Sequence, residues 1–271
     1  MKIAIQGIKG SFHHIVAENY FGENIELVEC MSFGEMPDVV ISKKADFAVM
    51  AIENSIAGAI IPNYTLIDEF NLSIVGEYYL PINQNLMVTK GQTIADVKKV
   101  YSHPMALLQC RKFFSDYPRI KLIEDEDTAE VARRIQEKGL MNVGAIASTK
   151  AAEIYGLELI AEEIQTIKKN YTRFVIVQSG EVDKESLKSK ASLKFVLKDE
   201  HGSLGEVLMT LANHKVNMSK IQSLPIIERP WEYAFFADLV FDDYQEYKNA
   251  IRDIRNKVSS LKILGEYKNN K

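Results

Sequence analysis

Cysteine is nearly absent from this chain, with only Cys30 and Cys110 in 271 residues. Two thiols so far apart cannot make a zinc motif, and in a reducing compartment they read as small buried hydrophobes. Long apolar runs are also missing, so nothing in the sequence is expected to span a bilayer. No export signal opens the chain, because Met1-Lys2 runs straight into the strand-like Ile3-Ala4-Ile5; the expectation is a cytoplasmic protein with no membrane partner. An excess of positive charge is lacking as well. The 33 basic residues are outnumbered by 37 acidic ones, a net charge of -4, which argues against a nucleic-acid binder. An anionic substrate stays open, since the placement of a few arginines matters more than the total. What is present is ordinary globular composition, 46% apolar and 26% charged, in a length that suits one large domain and a small one.

Strand-like and helix-like periodicities alternate through about residue 180. Ile3-Ala4-Ile5-Gln6-Gly7 leads into Phe12, Ile15, Val16 and Tyr20 at helical spacing, and Phe47 to Ile52 leads into Leu66, Ile67 and Phe70. The middle section repeats the pattern, with Val97 to Tyr101 as a strand, Met105 to Phe114 as a helix and Val143 to Ala147 as a strand. Asp127, followed by Glu130, predicts a capping box opening the helix of Val131 and Ile135. This is the signature of a mainly parallel sheet flanked by helices. Extended segments around Ser73 to Leu80 and Ile160 to Thr172 leave and rejoin the first block, which predicts two lobes with a cleft between them.

Composition shifts at Ser179 to Lys190, where Gly180, Asp183, Lys184, Glu185, Lys188 and Lys190 predict a charged linker. Beyond it, Leu193, Phe195 and Leu197 alternate as a strand, and Leu204, Val207, Leu208 and Leu211 follow a helix. Val216 to Ile226 and Trp231 to Phe241 read as two further strands, Tyr247, Ile251, Ile254 and Val258 as a helix, and Leu261 to Tyr267 as a last strand. That order, βαββαβ, is a ferredoxin-like module. The two parts share no sequence repeat.

Four segments at predicted strand ends carry polar side chains suited to chemistry. Gly7-Ile8-Lys9-Gly10-Ser11-Phe12 lies between a strand and a helix, where Ser11 and the free helix amides can face an anion; the same residues also suit a plain turn with Ser11 as N-cap. Glu53, Asn54 and Ser55 end a strongly apolar strand and need partners or a ligand. His103, before the helix-opening Pro104, is either an acid or carboxylate ligand or a hydrogen-bonded turn residue. Asn170-Tyr171-Thr172-Arg173-Phe174 sets a hydroxyl, a guanidinium and a ring at the head of the apolar run Phe174 to Val177, where α/β folds usually hold small ligands.

As an ordered set, Gly7-x-x-Gly10-Ser11-Phe12, Ile52-Glu53-Asn54-Ser55, Ser102-His103-Pro104-x-Ala106-Leu107-x-Gln109-Cys110 and Asn170-x-Thr172-Arg173-Phe174 resemble prephenate dehydratase. The resemblance covers nearly the whole chain, since the C-terminal module is similar to the regulatory ACT domain that follows this catalytic unit. It implies an α/β fold with a two-lobed catalytic unit of the type II periplasmic-binding-protein kind. The unit would occupy residues 1–180, with lobe 1 about 1–80 and 168–180 and lobe 2 about 81–167. A linker at 181–190 and a βαββαβ ACT domain at 191–271 would complete the chain. The implied reaction needs no cofactor and no metal: prephenate loses carbon dioxide and its ring hydroxyl. Thr172 would be the essential catalytic residue, aiding the departing oxygen, with Arg173 supplying positive charge or gripping a carboxylate. Ser11, Asn54 and Ser55 would donate to the substrate, Glu53 and His103 would orient the surroundings, and Phe174 would line the site. L-phenylalanine would be the allosteric effector of a homodimer or homotetramer, held by Gly202, Ser203 and Leu204, by Asn217, and by Gln222 and Ser223.

The sequence departs from the family pattern in places. Ile8 stands where proline is usual, Met105 where glutamine often occurs, and His13 where a small hydroxyl residue is usual; His13 either adds a proton donor near Ser11 or faces solvent, the second being the expectation. In the effector region, Gln222-Ser223-Leu224-Pro225 replaces Glu-Ser-Arg-Pro and loses both charged side chains, while Glu228-Arg229-Pro230 falls after the strand. An ACT domain that only holds an oligomer together is therefore a second reading. Arogenate dehydratase, the same chemistry on the amino-acid analogue, is an alternative. So is a solute-binding protein, though such a protein would normally be exported and would need neither the Thr-Arg-Phe cluster nor an ACT module. No all-helical segment precedes Ile3, so a fused chorismate mutase is not expected.

Overall fold

The computed structural model describes residues 1–180, 182, 187–227 and 229–271. In the first block the order is β1 (Lys2–Gln6), α1 (Phe12–Phe21), β2 (Glu26–Cys30), α2 (Met36–Ile41), β3 (Phe47–Asn54), β4 (Gly58–Ala59), α3 (Ile61–Glu69) and β5 (Ser73–Pro81). The middle block comprises β6 (Asn85–Val88), β7 (Lys99–Ser102), α4 (Pro104–Phe114), β8 (Lys121–Glu124), α5 (Thr128–Lys138), β9 (Val143–Ala147), α6 (Thr149–Tyr155) and β10 (Glu158–Ala161), followed by β11 (Tyr171–Gln178). The last block is β12 (Lys190–Leu197), α7 (Ser203–Asn213), β13 (Asn217–Pro225), β14 (Tyr233–Val240), α8 (Tyr244–Arg255) and β15 (Val258–Tyr267).

Three sheets result, ordered β2-β1-β3-β11-β5 with β4 beside β3, then β10-β6-β9-β7-β8, then β13-β14-β12-β15. β1 runs parallel to both β2 and β3, and β7 parallel to β8 and β9. The apolar run of β3 is buried on both faces from Ala48 to Ile52, as a central strand of such a sheet requires. The third sheet is antiparallel throughout and has the strand order of a ferredoxin-like module. No helix among the described residues is long and apolar enough to cross a membrane.

Local signals account for most helix starts. Ser11 caps α1 by accepting the His14 N–H, and Asp127 caps α5 by accepting the Glu130 N–H. The expected reciprocal box at Asp127 does not form, because the Glu130 carboxylate takes Arg133 instead, at 2.7 and 2.9 Å. The predicted strand Val97 to Tyr101 begins later, at Lys99, since Ile94–Asp96 forms a helical turn capped by Thr93. The predicted extended segment Ile160 to Thr172 divides: β10 pairs with β6, residues 162–170 form no strand, and β11 starts at Tyr171.

By its contacts the chain divides into two compact units, Met1–Gly58 with Tyr79–Phe174, and Ala59–Tyr78 with Val175–Lys271. In the first unit the turn before α1 meets α6 closely. The Ser148 hydroxyl donates to the Gly10 carbonyl at 2.6 Å, and a Cβ on Gly10 would lie 2.9 Å from the Ala151 Cα. Cys30 and Cys110 are both free and buried, and burial pushes their thiols up to about 11 and about 12.

In the second unit, Val207, Leu211, Tyr247, Ile251 and Ile254 of the two helices pack on Leu193, Phe195, Ala237 and Leu239 of the sheet. The residues of α3, and those of β5 through Tyr78, belong to the same body. Lys190, expected in an exposed linker, is buried and paired with the equally buried Glu77 at 2.7 Å. Lys194 and Lys262 both grip Asp68, and β15 approaches β5 so closely at Gly265 that a Cβ there would lie 2.1 Å from the Ile74 carbonyl oxygen. Asp183, Lys184, Glu185 and Glu228, also named from the sequence, fall outside the described residues.

Candidate active site

Asn54, the last residue of β3, organises the polar cluster. Its Oδ1 accepts the backbone N–H groups of Ile56 and Ala57 at 3.0 and 2.9 Å. Those two donors fix which end of the amide is oxygen, so the Nδ2 end must face β11. There it donates to Asn170 Oδ1 at 2.8 Å and to Thr172 Oγ1 at 3.0 Å, with the Tyr171 carbonyl oxygen at 3.3 Å. Asn170 is oriented in turn: its oxygen accepts from Asn54, and its Nδ2 donates to Gln109 Oε1 on α4 at 3.0 Å.

The consequence falls on Thr172, which is 7% exposed. A threonine hydroxyl that accepts an amide N–H keeps its own hydrogen for another acceptor. The network therefore presets Thr172 as a donor. Ser55 ties the same strand ends together, donating its N–H to the Tyr171 carbonyl at 2.8 Å and accepting the Tyr171 N–H on Oγ at 2.9 Å.

Alternation along β11 sorts the Thr-Arg-Phe triplet. Thr172 and Phe174 project from one face and Arg173 from the other. The guanidinium of Arg173 is buried on the opposite face. Glu53, half-buried, likewise leaves β3 on the face opposite Asn54. Phe174 packs edge-on against His13, with ring centroids 5.0 Å apart.

Gly7 and Gly10 take positive φ values of 85° and 91°, which lets the turn bring Ser11 to the start of α1. Ser11 is buried and serves as the N-cap, its Oγ accepting the His14 N–H at 3.2 Å. His13, expected to face solvent, is instead 8% exposed; burial holds its ring neutral, the pKa lowered to about 3.

His103 caps α4 by accepting the Met105 N–H on Nδ1 at 3.2 Å. It opens onto a groove lined also by Gly7, Lys9, Asp127, Arg133 and Arg134, and among the described residues it shares no hydrogen bond with the Asn54–Thr172 cluster. Burial lowers its pKa, against the pull of Asp127 and Glu124. Burial also raises the Asp127 carboxyl, which two helix amides oppose.

Two polar residues of this neighbourhood escaped the sequence reading. Gln84 reaches Gln109 at 3.4 Å, and its backbone N–H donates to Gln165 Oε1 at 2.9 Å, tying residues 83–85 to 163–165. The signal available was the polar run Asn83-Gln84-Asn85 directly after the apolar end of β5.

Fold and cluster together define a class: an enzyme-like α/β unit of two sheets, with a hydroxyl preset as donor at a strand end, followed by a βαββαβ module. The family model for prephenate dehydratase matches residues 3–182. The bifunctional chorismate mutase/prephenate dehydratase of Aquifex aeolicus is 35% identical over 271 residues, 98% of this chain and 73% of that one. The arogenate dehydratase/prephenate dehydratase 2, chloroplastic, of Arabidopsis thaliana is 33% identical, over 98% of this chain and 72% of its own. The chain belongs to the prephenate dehydratase family.

Solved structures agree on the fold. Prephenate dehydratase from Arthrobacter aurescens in complex with L-Phe superposes with a TM-score of 0.88 at 24% identity, over 99% of this chain and 90% of that one. GqqA, described as a novel type of quorum quenching acylase, superposes with the same TM-score at 26% identity, over 98% and 97%.

Proposed function

We propose that this chain converts prephenate to phenylpyruvate, with Thr172 as the group that assists the departing ring hydroxyl. In this reaction the bond to the ring carboxylate breaks and releases carbon dioxide. Its electron pair enters the ring, the carbon–oxygen bond breaks, and the hydroxyl leaves as water with one added proton. The observation that carries the assignment is the orientation of Asn54, whose amide donates into Thr172 Oγ1 and leaves the hydroxyl hydrogen free to point at a leaving oxygen. A threonine hydroxyl is a weak acid, so the buried Arg173 charge and preorganised donors supply the remaining stabilisation. Ser11 and Ser55 each keep a hydroxyl hydrogen for substrate oxygens, and Phe174 lines the Thr172 face. His103 acts from the neighbouring groove, its Nδ1 held by the Met105 amide.

The C-terminal module is assigned as an ACT domain that senses L-phenylalanine, by analogy with the L-Phe complex of the Arthrobacter aurescens enzyme. Gly202, with φ of 84°, opens α7, and Ser203 and Leu204 follow in its first turn. Asn217 and Ser223 are both exposed on β13, whose register against β14 shifts between Met218 and Lys220, and the Gln222 amide donates to the Ser223 carbonyl. In the scaffold alternative, the edge strand β13 pairs with a second copy in a homodimer or homotetramer. A cytoplasmic location fits either reading.

The test is the appearance of phenylpyruvate from purified protein given prephenate, with a chelator throughout, with and without L-phenylalanine. Turnover suppressed by phenylalanine supports both assignments, and turnover without suppression leaves the module as scaffold. Turnover of arogenate alone shifts the substrate to the amino acid, a reading favoured by the double name of the Arabidopsis relative. No turnover of either leaves a binding protein. The acylase activity in the description of GqqA gains no such support, because the Thr172 hydroxyl sits on an amide rather than on a histidine or carboxylate that would activate it.

A further inference from the structure

The first unit holds a buried polar atom that the dehydration chemistry above does not use. Nε2 of His13 has no hydrogen-bond partner among the described residues, although the side chain is more than nine-tenths buried. Its ring lies against two other rings, tilted on Phe33 at 5.5 Å and edge-on to Phe174 at 5.0 Å, and neither offers it a hydrogen bond. Such an atom is costly to bury, and a folded chain keeps one where something else satisfies it.

Its position says where that partner comes from. Thr172 and Phe174 lie on the same face of β11, about 7 Å apart along the strand. A ring touching Phe174 therefore stands on the face from which the Thr172 hydroxyl projects. Ser11, two residues earlier in the chain, is buried at the head of α1. The ring that carries the orphan nitrogen thus stands on the side of the strand from which the preset donor projects.

We infer that His13 is a substrate-positioning residue of the dehydration site, its Nε2–H donating to a carboxylate or hydroxyl oxygen of the bound substrate. The inference rests on the prephenate reading above. A ring held neutral by burial donates a hydrogen bond without being the acid that protonates the leaving oxygen, so its effect falls on binding and alignment.

The experiment compares full-length wild type, His13→Phe and His13→Asn in steady-state turnover of prephenate and in thermal melts without ligand. Phenylalanine keeps the ring contacts and removes the orphan nitrogen. The expected result is a melting temperature equal to or above wild type, with kcat/KM lower by about 10- to 100-fold, mostly through KM. Asparagine, which restores an N–H, recovers part of the loss. Wild-type kcat/KM within twofold in His13→Phe overturns the inference and leaves the function standing. So does a loss in both variants that tracks a lower melting temperature with KM unchanged, the mark of a structural histidine. A wild-type chain that turns over neither prephenate nor arogenate overturns the function and this inference together. If His13→Phe does not fold, wild-type kinetics in His13→Asn and His13→Ala overturn it equally.

Discussion

Replacing Thr172 by valine tests the proposed mechanism most directly, because it removes one hydroxyl and little else. Asn54 Nδ2 would lose its 3.0 Å acceptor on Thr172 but keep Asn170 Oδ1 at 2.8 Å and the Tyr171 carbonyl at 3.3 Å. No buried donor is stranded. The stability cost is therefore that of one ordinary hydrogen bond, about 0.5–1.5 kcal/mol. That lowers the melting temperature by only a few degrees, at about 2–4 °C per kcal/mol for a domain of this size. Catalysis is expected to fall much further, by about 10²- to 10⁴-fold in kcat, the worth of a positioned proton donor. Thr172→Ser keeps the hydroxyl and should stay within about tenfold of wild type. The assay is phenylpyruvate formation at saturating prephenate, with melts run alongside. A folded valine variant that retains more than a tenth of wild-type kcat would remove Thr172 from the chemistry and leave the Asn54 network as purely structural.

Two further outcomes follow from the second unit. Gly265→Ala places a Cβ 2.1 Å from the Ile74 carbonyl oxygen and 2.7 Å from its Cβ, contacts that backbone cannot evade; it should cost about 3 kcal/mol, read as a lower midpoint in urea unfolding. Unchanged stability would mean that β15 and β5 do not meet as described. His214 faces the carboxylates of Glu246 and Asp253, both at 2.9 Å, and donates to both when protonated; these hydrogen bonds raise its pKa above the ordinary value. A raised folded pKa contributes stability that is fully present below the unfolded pKa of about 6.5 and lost as pH rises through the folded value. The melting-temperature gap between wild type and His214→Gln should accordingly be widest near pH 5.5 and close by pH 9. A gap that does not change with pH would refute the ion-pair account.

Much of the architecture was legible in the chain because it is written in short windows. The apolar run Phe47 to Ile52, the alternation of Leu193, Phe195 and Leu197, and the caps at Ser11 and Asp127 each depend on neighbours within a few residues, and the α/β unit with its βαββαβ sequel follows from them. The four strand-end motifs were equally visible, including Asn170 and Gln109, whose partnership the sequence did not suggest. Tertiary structure alone decided which of these residues meet. Asn54 reaches Thr172 across 118 positions of sequence, while Arg173, its immediate neighbour, leaves the strand on the other face. His13 turned out buried rather than exposed, and Lys190 closed a buried pair with Glu77, 113 positions earlier, instead of lying in a charged link. The physical reason is the same in each case. Periodicity and capping are set by local backbone geometry, whereas burial and hydrogen-bond partnership depend on sheet order and register, which couple residues that no local pattern connects.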